Sequence, residues 1–306
     1  MTARTFPVLV ALLVLASLPA SARPYRSMVT RTAETTRSGN LELGLRYQGF
    51  FMLDAITGEN ALASSLPYHQ LSPTVRFGIL DNVEANLQLE LLGLGMPGRS
   101  DFQVAFGDIP LGVQWTFLET SAFALGIYGR GTIPTGPSDV DWIHPGLSDG
   151  TWDAEGTLLA ELRATRDLRF MFNASYLHHG VRARGPGEAD DFDVPDALAA
   201  SVAAAWNLDR FTLIGIEVVG RHYFQPQITP VWWDHATQVE VIPVIRREVS
   251  PGLVLEAVAG VSVTPGLWDI HQFRALVGGT YEFDLATGPD VPARRKSSST
   301  RGKRSR

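Results

Sequence analysis

Apolar and polar residues alternate one for one along most of this chain, and that period of two limits the possible folds more than any other feature. It belongs to strands with one greasy and one wet face. From Val83 onward, Val83, Ala85, Leu87, Leu89 and Leu91 interleave with Glu84, Asn86, Gln88 and Glu90. The stretch FGDIPLGVQWTFLETSAFALGIYGRGTIPTG, Phe106 to Gly136, carries the pattern twice, through Ile109, Leu111, Val113, Trp115 and Phe117 and then Phe123, Leu125 and Ile127. Read throughout at this period, the sequence predicts about twelve strands: near 40–53, 69–80 and 83–91, two within the quoted stretch, then 151–163, 168–177, 196–207, 211–224, 238–249, 252–263 and 270–283. The alanine-rich 196–207 suits a helix equally well, and its neighbours decide for a strand.

The connections between these segments alternate in length, at roughly 15, 2, 11, 3, 17, 3, 18, 3, 13, 2 and 6 residues. A barrel crossing an outer membrane has short turns at its periplasmic end and long loops outside, and an even strand number leaves both termini in the periplasm. Strands of this length, tilted near 45°, cover an apolar band of roughly 25 Å. A closed barrel also leaves no backbone edge unpaired in lipid. The expected fold is therefore all-β: a closed antiparallel transmembrane β-barrel of about twelve strands, residues 40–283, with its apolar face toward lipid and its polar face toward a lumen.

Composition alone, with 45 % hydrophobic and 19 % charged residues, would suit a soluble globule. The N-terminus argues for export: Arg4 precedes an apolar run from Phe6 to Ala16, and Ala20-Ser21-Ala22 supplies small residues for cleavage, so residues 1–22 read as a signal peptide. Residues 23–39 are expected as a periplasmic lead. The chain has no cysteine, so no disulfide framework holds it, and no later run of 18 apolar residues offers a spanning helix. Between Arg23 and Ala293 it carries 18 arginines and no lysine against 32 acidic residues. Residues 284–306 end in RRKSSSTRGKRSR, which reads as a basic, disordered periplasmic tail.

Strand parity assigns a lumen lining. Arg46, Arg76, Arg130, Arg163 and Arg274 all share parity with polar neighbours, whereas an arginine at mid-bilayer on the lipid face costs about 2 to 4 kcal/mol. Glu84, Glu90, Asp108, Asp153, Glu155 and Glu161, with Gln88 and Gln114, complete the predicted lining. Phe117, Phe123, Trp152, Trp206, Tyr281 and Phe283, near strand ends, could form interfacial girdles.

Three motifs in order, RFGILDNVEANLQLELL (Arg76 to Leu92), FGDIPLGVQWTFLE (Phe106 to Glu119) and IPTG (Ile133 to Gly136), resemble the transporter-like outer-membrane family named for the meta-pathway of phenol degradation. The architectural likeness spans about Leu41 to Phe283. Gly278, Tyr281 and Phe283 look like an outer-membrane assembly signal, here followed by 23 further residues. The resemblance implies placement in the bacterial outer membrane and passage of small molecules, aromatic ones included. The partners expected are outer-membrane lipids and lipopolysaccharide, the barrel-assembly machinery and a small-molecule solute, with no nucleic acid.

No chemistry stands out beside this. Ser175, His178 and His179, near Asn173, are the residues an outer-membrane phospholipase would need, but no His-x-Ser-Asn-Gly run is present. The acids at 139, 141, 149 and 153, and at 188, 190, 191, 193 and 196, lack EF-hand spacing and read as solvated charge, and the histidines lack metal-ligand spacing. Gly93-Leu94-Gly95 reads as loop punctuation, with no helix after it to hold a phosphate. The chain is read as a non-enzymatic channel or passive transporter with no cofactor and no metal. A structural or adhesive barrel is the second reading and a lipid-modifying enzyme the third.

Overall fold

The computed structural model describes residues 30–51, 68–95, 102–136, 151–180, 196–224, 237–263 and 273–285. They form fourteen strands: β1 (Asn40–Phe51), β2 (Tyr68–Leu80), β3 (Val83–Gln88), β4 (Leu91–Gly95), β5 (Phe102–Phe106), β6 (Ile109–Glu119), β7 (Phe123–Ile133), β8 (Asp153–Arg163), β9 (Leu168–His178), β10 (Ala197–Asn207), β11 (Thr212–Tyr223), β12 (Thr237–Ser250), β13 (Leu253–Ser262) and β14 (Phe273–Asp284). All pair antiparallel in one sheet. β1 pairs with β14 from Asn40↔Asp284 to Phe51↔Phe273 and with β2 from Leu41↔Phe77 to Phe50↔Tyr68, which closes the ring.

Fourteen strands make twelve staves, because β3 with β4 and β5 with β6 are each one stave interrupted. The interruptions have two local causes. Pro73 stands opposite Leu89; its carbonyl accepts the Leu89 N–H at 2.9 Å, but it has no N–H to return. On the other side the ladder passes from Leu91↔Phe106 to Leu87↔Leu111, so four residues face three, which is a bulge at Gly107-Asp108. The sequence reading places the fourth stave within the stretch that starts at Phe106, with Ile109 as its first alternating apolar residue. The stave in fact begins at Phe102, and the alternation there is hidden by Gly93, Gly107 and the bulge.

Burial is reversed relative to a soluble protein. Val113 (52 % exposed), Leu158 (64 %) and Val277 (58 %) face outward, while Glu84 (1 %), Glu161 (2 %) and Glu217 (0 %) are enclosed. A greasy exterior of this extent needs lipid around it. Phe117, Phe123, Trp152, Trp206, Tyr281 and Phe283 are all exposed on that outer side, and the Tyr281 and Phe283 rings meet edge to face at 4.5 Å. The sequence-predicted helix alternative at 196–207 is resolved as strand β10, paired on both sides.

The short turns are built to close tightly. Gly252, at φ 92°, turns β12 into β13 in a conformation that costs a side-chain-bearing residue. At the β10–β11 turn the Asp209 carboxylate accepts the backbone N–H groups of Phe211 at 2.6 Å and Thr212 at 2.7 Å. The Phe211 N–H, above all, holds the Asp209 carboxyl below its usual range. The contribution of this cap is therefore complete above that range and is lost only as pH falls through the lowered value. Long loops, expected at the opposite end, lie outside the described residues, as do the signal segment and the basic tail.

The outward face sets a direct test: Val113→Arg should lower barrel stability by about 2 to 4 kcal/mol. The readout is the urea midpoint of the heat-modifiable gel band in lipid. A Thr116→Ser control on the inner side of the same strand should leave the midpoint nearly unchanged.

Candidate functional site

Residues 30–38 precede β1 and run inside the barrel. The sequence reading put 23–39 in the periplasm as a lead; the part described, 30–38, is threaded into the bore, and 23–29 lie outside the described residues. Three enclosed glutamates grip the segment. The Thr30 N–H donates to Glu217 Oε2 at 2.9 Å, the Thr32 hydroxyl donates to Glu161, and the Thr36 N–H and hydroxyl donate to Glu84 Oε2 at 2.7 and 2.6 Å. Gln114 Nε2 donates to the carbonyls of Thr32 and Glu34 at 3.0 and 3.2 Å, and the Thr116 hydroxyl donates to the Ala33 carbonyl. Ala33 packs with Ala124, Tyr128 and Leu159 of the wall. Hydrogen bonds to charged groups are worth roughly 1.5 to 3 kcal/mol each, so this segment is firmly seated.

Glu34 extends the grip through ion pairs. Its carboxylate meets Arg163 and Arg169, both at 3.0 Å, and those two guanidinium groups also reach Glu161 at 3.2 and 3.5 Å. Asn173, with its amide nitrogen toward the segment, donates to the Arg31 carbonyl at 3.0 Å and accepts the Arg31 N–H at 2.6 Å. The chain leaves the bore at Gly39, φ 77°, whose N–H donates to the Gly78 carbonyl at 2.8 Å. A Cβ on Gly78 would overlap the Arg37 carbonyl, so the exit depends on that glycine.

The segment's hydrogen bonds and ion pairs fall on β3, β6, β8, β9 and β11 and, at its exit, on the end of β2 and the turn after it, where Ser38 Oγ donates to the Ile79 carbonyl at 3.3 Å and the Thr35 hydroxyl to the Asp81 carbonyl at 2.7 Å. The opposite wall is different. There Arg46 reaches Glu256 at 2.7 Å, Arg76 reaches Glu42 at 3.0 Å and Arg274 reaches Glu240 at 2.6 Å. Inward glycines make room for these pairs to lie along the wall. A Cβ at Gly278 would stand 2.9 Å from Arg46 Cγ and 3.0 Å from Glu256 Oε1, and one at Gly260 would overlap Glu240 and Arg274. Ile242, Val244, Val258 and Leu276, with Val219, form an apolar cluster between the charged levels.

Twelve of the thirteen residues assigned to the lumen by parity lie at inward positions. Arg130 pairs with Glu155 at 2.9 Å, Gln88 Nε2 donates to Glu90 at 2.7 Å, and Asp153 accepts the Gly180 N–H at 3.3 Å. Asp108 falls in the bulge and instead caps β7, accepting the N–H groups of Thr135 and Gly136, both at 2.9 Å. The hydrolase residues do not come together. The Ser175 hydroxyl shares a 2.8 Å bond with Thr157 on the inner side, while His178, on the opposite parity, holds Asp196 at 3.0 Å. Among the described residues no group of acids and histidines is placed to hold a metal ion. The acidic stretches at 139–149 and 188–193 lie outside those residues.

Comparison with known proteins shows the fold and stops there. The sequence matches no protein-family profile and no curated relative. Among solved structures, the COG4313 outer membrane channel from Pseudomonas putida F1 is similar at TM-score 0.58 and 14 % identity, over 82 % of this chain and 98 % of that one. The NanC porin matches at 0.53 and 10 %, over 78 % and 98 %, and the KdgM porin at 0.50 and 10 %, over 79 % and 99 %. The fold is that of an outer-membrane β-barrel.

Gly78→Val should unseat the exit of the threaded segment without opening the ring. Hydrogen exchange at the Thr30 and Thr36 amides is expected to speed up by at least about tenfold, the loss of one charged hydrogen bond. Amides of β7 and β8 should be unaffected.

Proposed function

We propose that the protein is a channel of the bacterial outer membrane for small molecules, with residues 30–38 as a resident constriction. One observation carries this reading: the segment is bound mainly along one side of the bore, while on the other side the Arg46–Glu256 and Arg274–Glu240 pairs lie against Gly278 and Gly260. A barrel built only as a scaffold has no need to keep its arginines against the wall. The fold neighbours, an outer membrane channel and two porins, support the reading. The motifs at Arg76–Leu92, Phe106–Glu119 and Ile133–Gly136 support membership of the phenol meta-pathway group of transporter-like barrels, and the apolar cluster around Ile242 suits solutes with a hydrocarbon part.

The lumen residues then divide by task. Arg46, Arg76 and Arg274 line the side left for passage, Glu84, Glu161, Arg163 and Gln114 hold the constriction, and Glu90, Arg130, Asp153 and Glu155 belong to neither set of contacts. A structural barrel remains the second reading. Reconstituted in planar bilayers, the full chain should carry a small ionic current, and deletion of residues 30–36 should raise it several-fold. A closed barrel with no current in either form would refute the channel.

A further inference from the structure

Every inward arginine for which a partner is resolved on β1, β2, β7, β8, β9, β12 or β14 has a glutamate within 4 Å. Arg31, on the threaded segment, does not. Its guanidinium lies over the Tyr128 ring, 3.6 Å from the centroid, and among the described residues no carboxylate comes within ion-pairing distance. Glu155, an acid whose charge acts on Arg31, is already paired with Arg130 at 2.9 Å. The other acids near the segment are also engaged: Glu217 by the Thr30 N–H, and Glu161 by the Thr32 hydroxyl and two arginines. A half-buried guanidinium with no anion beside it is costly, so its environment calls for one.

The cation is also held in place. Its backbone is clamped on both sides by Asn173, and Glu217 and Glu161 anchor the residues before and after it. Stacking on Tyr128 fixes the plane of the guanidinium and leaves its edge of N–H groups to meet an acceptor. That fork matches the two oxygens of a carboxylate. We propose that Arg31 is a docking point inside the bore for the carboxylate of a small organic anion. The inference rests on the channel reading and adds the class of solute: small because the segment already occupies one side of the bore, and acidic because the charge without an ion-pair partner there, among the described residues, is positive.

The test uses the full chain in planar bilayers with KCl, and benzoate as probe against its neutral counterpart benzamide. Benzoate should interrupt the current in a concentration-dependent way and benzamide should not. Arg31→Gln should weaken the apparent benzoate affinity about tenfold, the worth of one charge-assisted hydrogen bond, and Arg31→Lys should restore part of it. Each variant is read against its own open current, so a shifted segment does not masquerade as lost binding. Equal benzoate affinity in wild type and Arg31→Gln, or equal interruption by benzamide, would overturn the anion site and leave the channel standing. Absence of any KCl current would instead remove the channel reading and this inference with it.

Discussion

The wall depends on one constraint: in hydrocarbon no water is available to an unpaired peptide group, so each N–H and C=O must find its partner in the chain. The twelve-residue seam between β1 and β14 meets that demand, and with β1 also paired to β2 the ring closes; among the described residues only the short β5 pairs on one side alone, with β4. Pro73 is one place where a donor is missing, and the stave opposite is interrupted there. Once closure satisfies the backbone, the side chains are free to sort by face. The exterior can be largely apolar because most of the arginines and glutamates of the strands are turned inward, with Arg247 near the end of β12 among the exceptions.

Turning charges inward creates the second problem, their pairing, and the bore solves it in two ways. Where an acid has a basic residue directly across a ladder, as in Glu42↔Arg76, Glu155↔Arg130 and Glu256↔Arg246, the wall pairs with itself. Glu84, Glu161 and Glu217 have no such neighbour: across their ladders stand Gln114 and Gly78, Ala124 and Met171, Ala203 and Ile242. These three hold the threaded segment. Arg163 and Arg169 reach Glu161 from the side and Arg76 stands 4.0 Å from Glu84, and the N–H and hydroxyl groups of Thr30, Thr32 and Thr36 add donors that offset the cost of enclosing these acids. The same segment introduces the cation of Arg31, so wall and segment together determine the charge that a passing molecule would meet.

The alternation at Val83–Leu91 and Ile109–Ile127 was enough to read the ring and the strand number, because a period of two is imposed by the pleat itself. The extension of the hairpin through β4 and β5 was not legible. Glycines and a bulge remove the alternation there, and Asp108 was given to the lumen because parity slips by one across Gly107. The threaded segment was missed for a different reason. The stretch TRTAETTRS, residues 30–38, has no apolar face and forms no ladder beyond one bridge, Ser38↔Gly78, so propensity and periodicity are silent about it. What could have revealed it is register: three glutamates in well-paired strands without a basic residue opposite need a donor from elsewhere. Arg31 was invisible for the same reason, since its partner Tyr128 is nearly a hundred residues away in sequence.

Gly39 joins two parts that are otherwise separate. On one side of it lies the stretch that narrows the bore, and on the other, starting at Asn40, the strand that seals the barrel to β14. Occupancy of the conduit and integrity of its seam are thus mechanically continuous through a single peptide hinge. A tug on the inner thread is delivered, within two residues, to the lock of the cylinder.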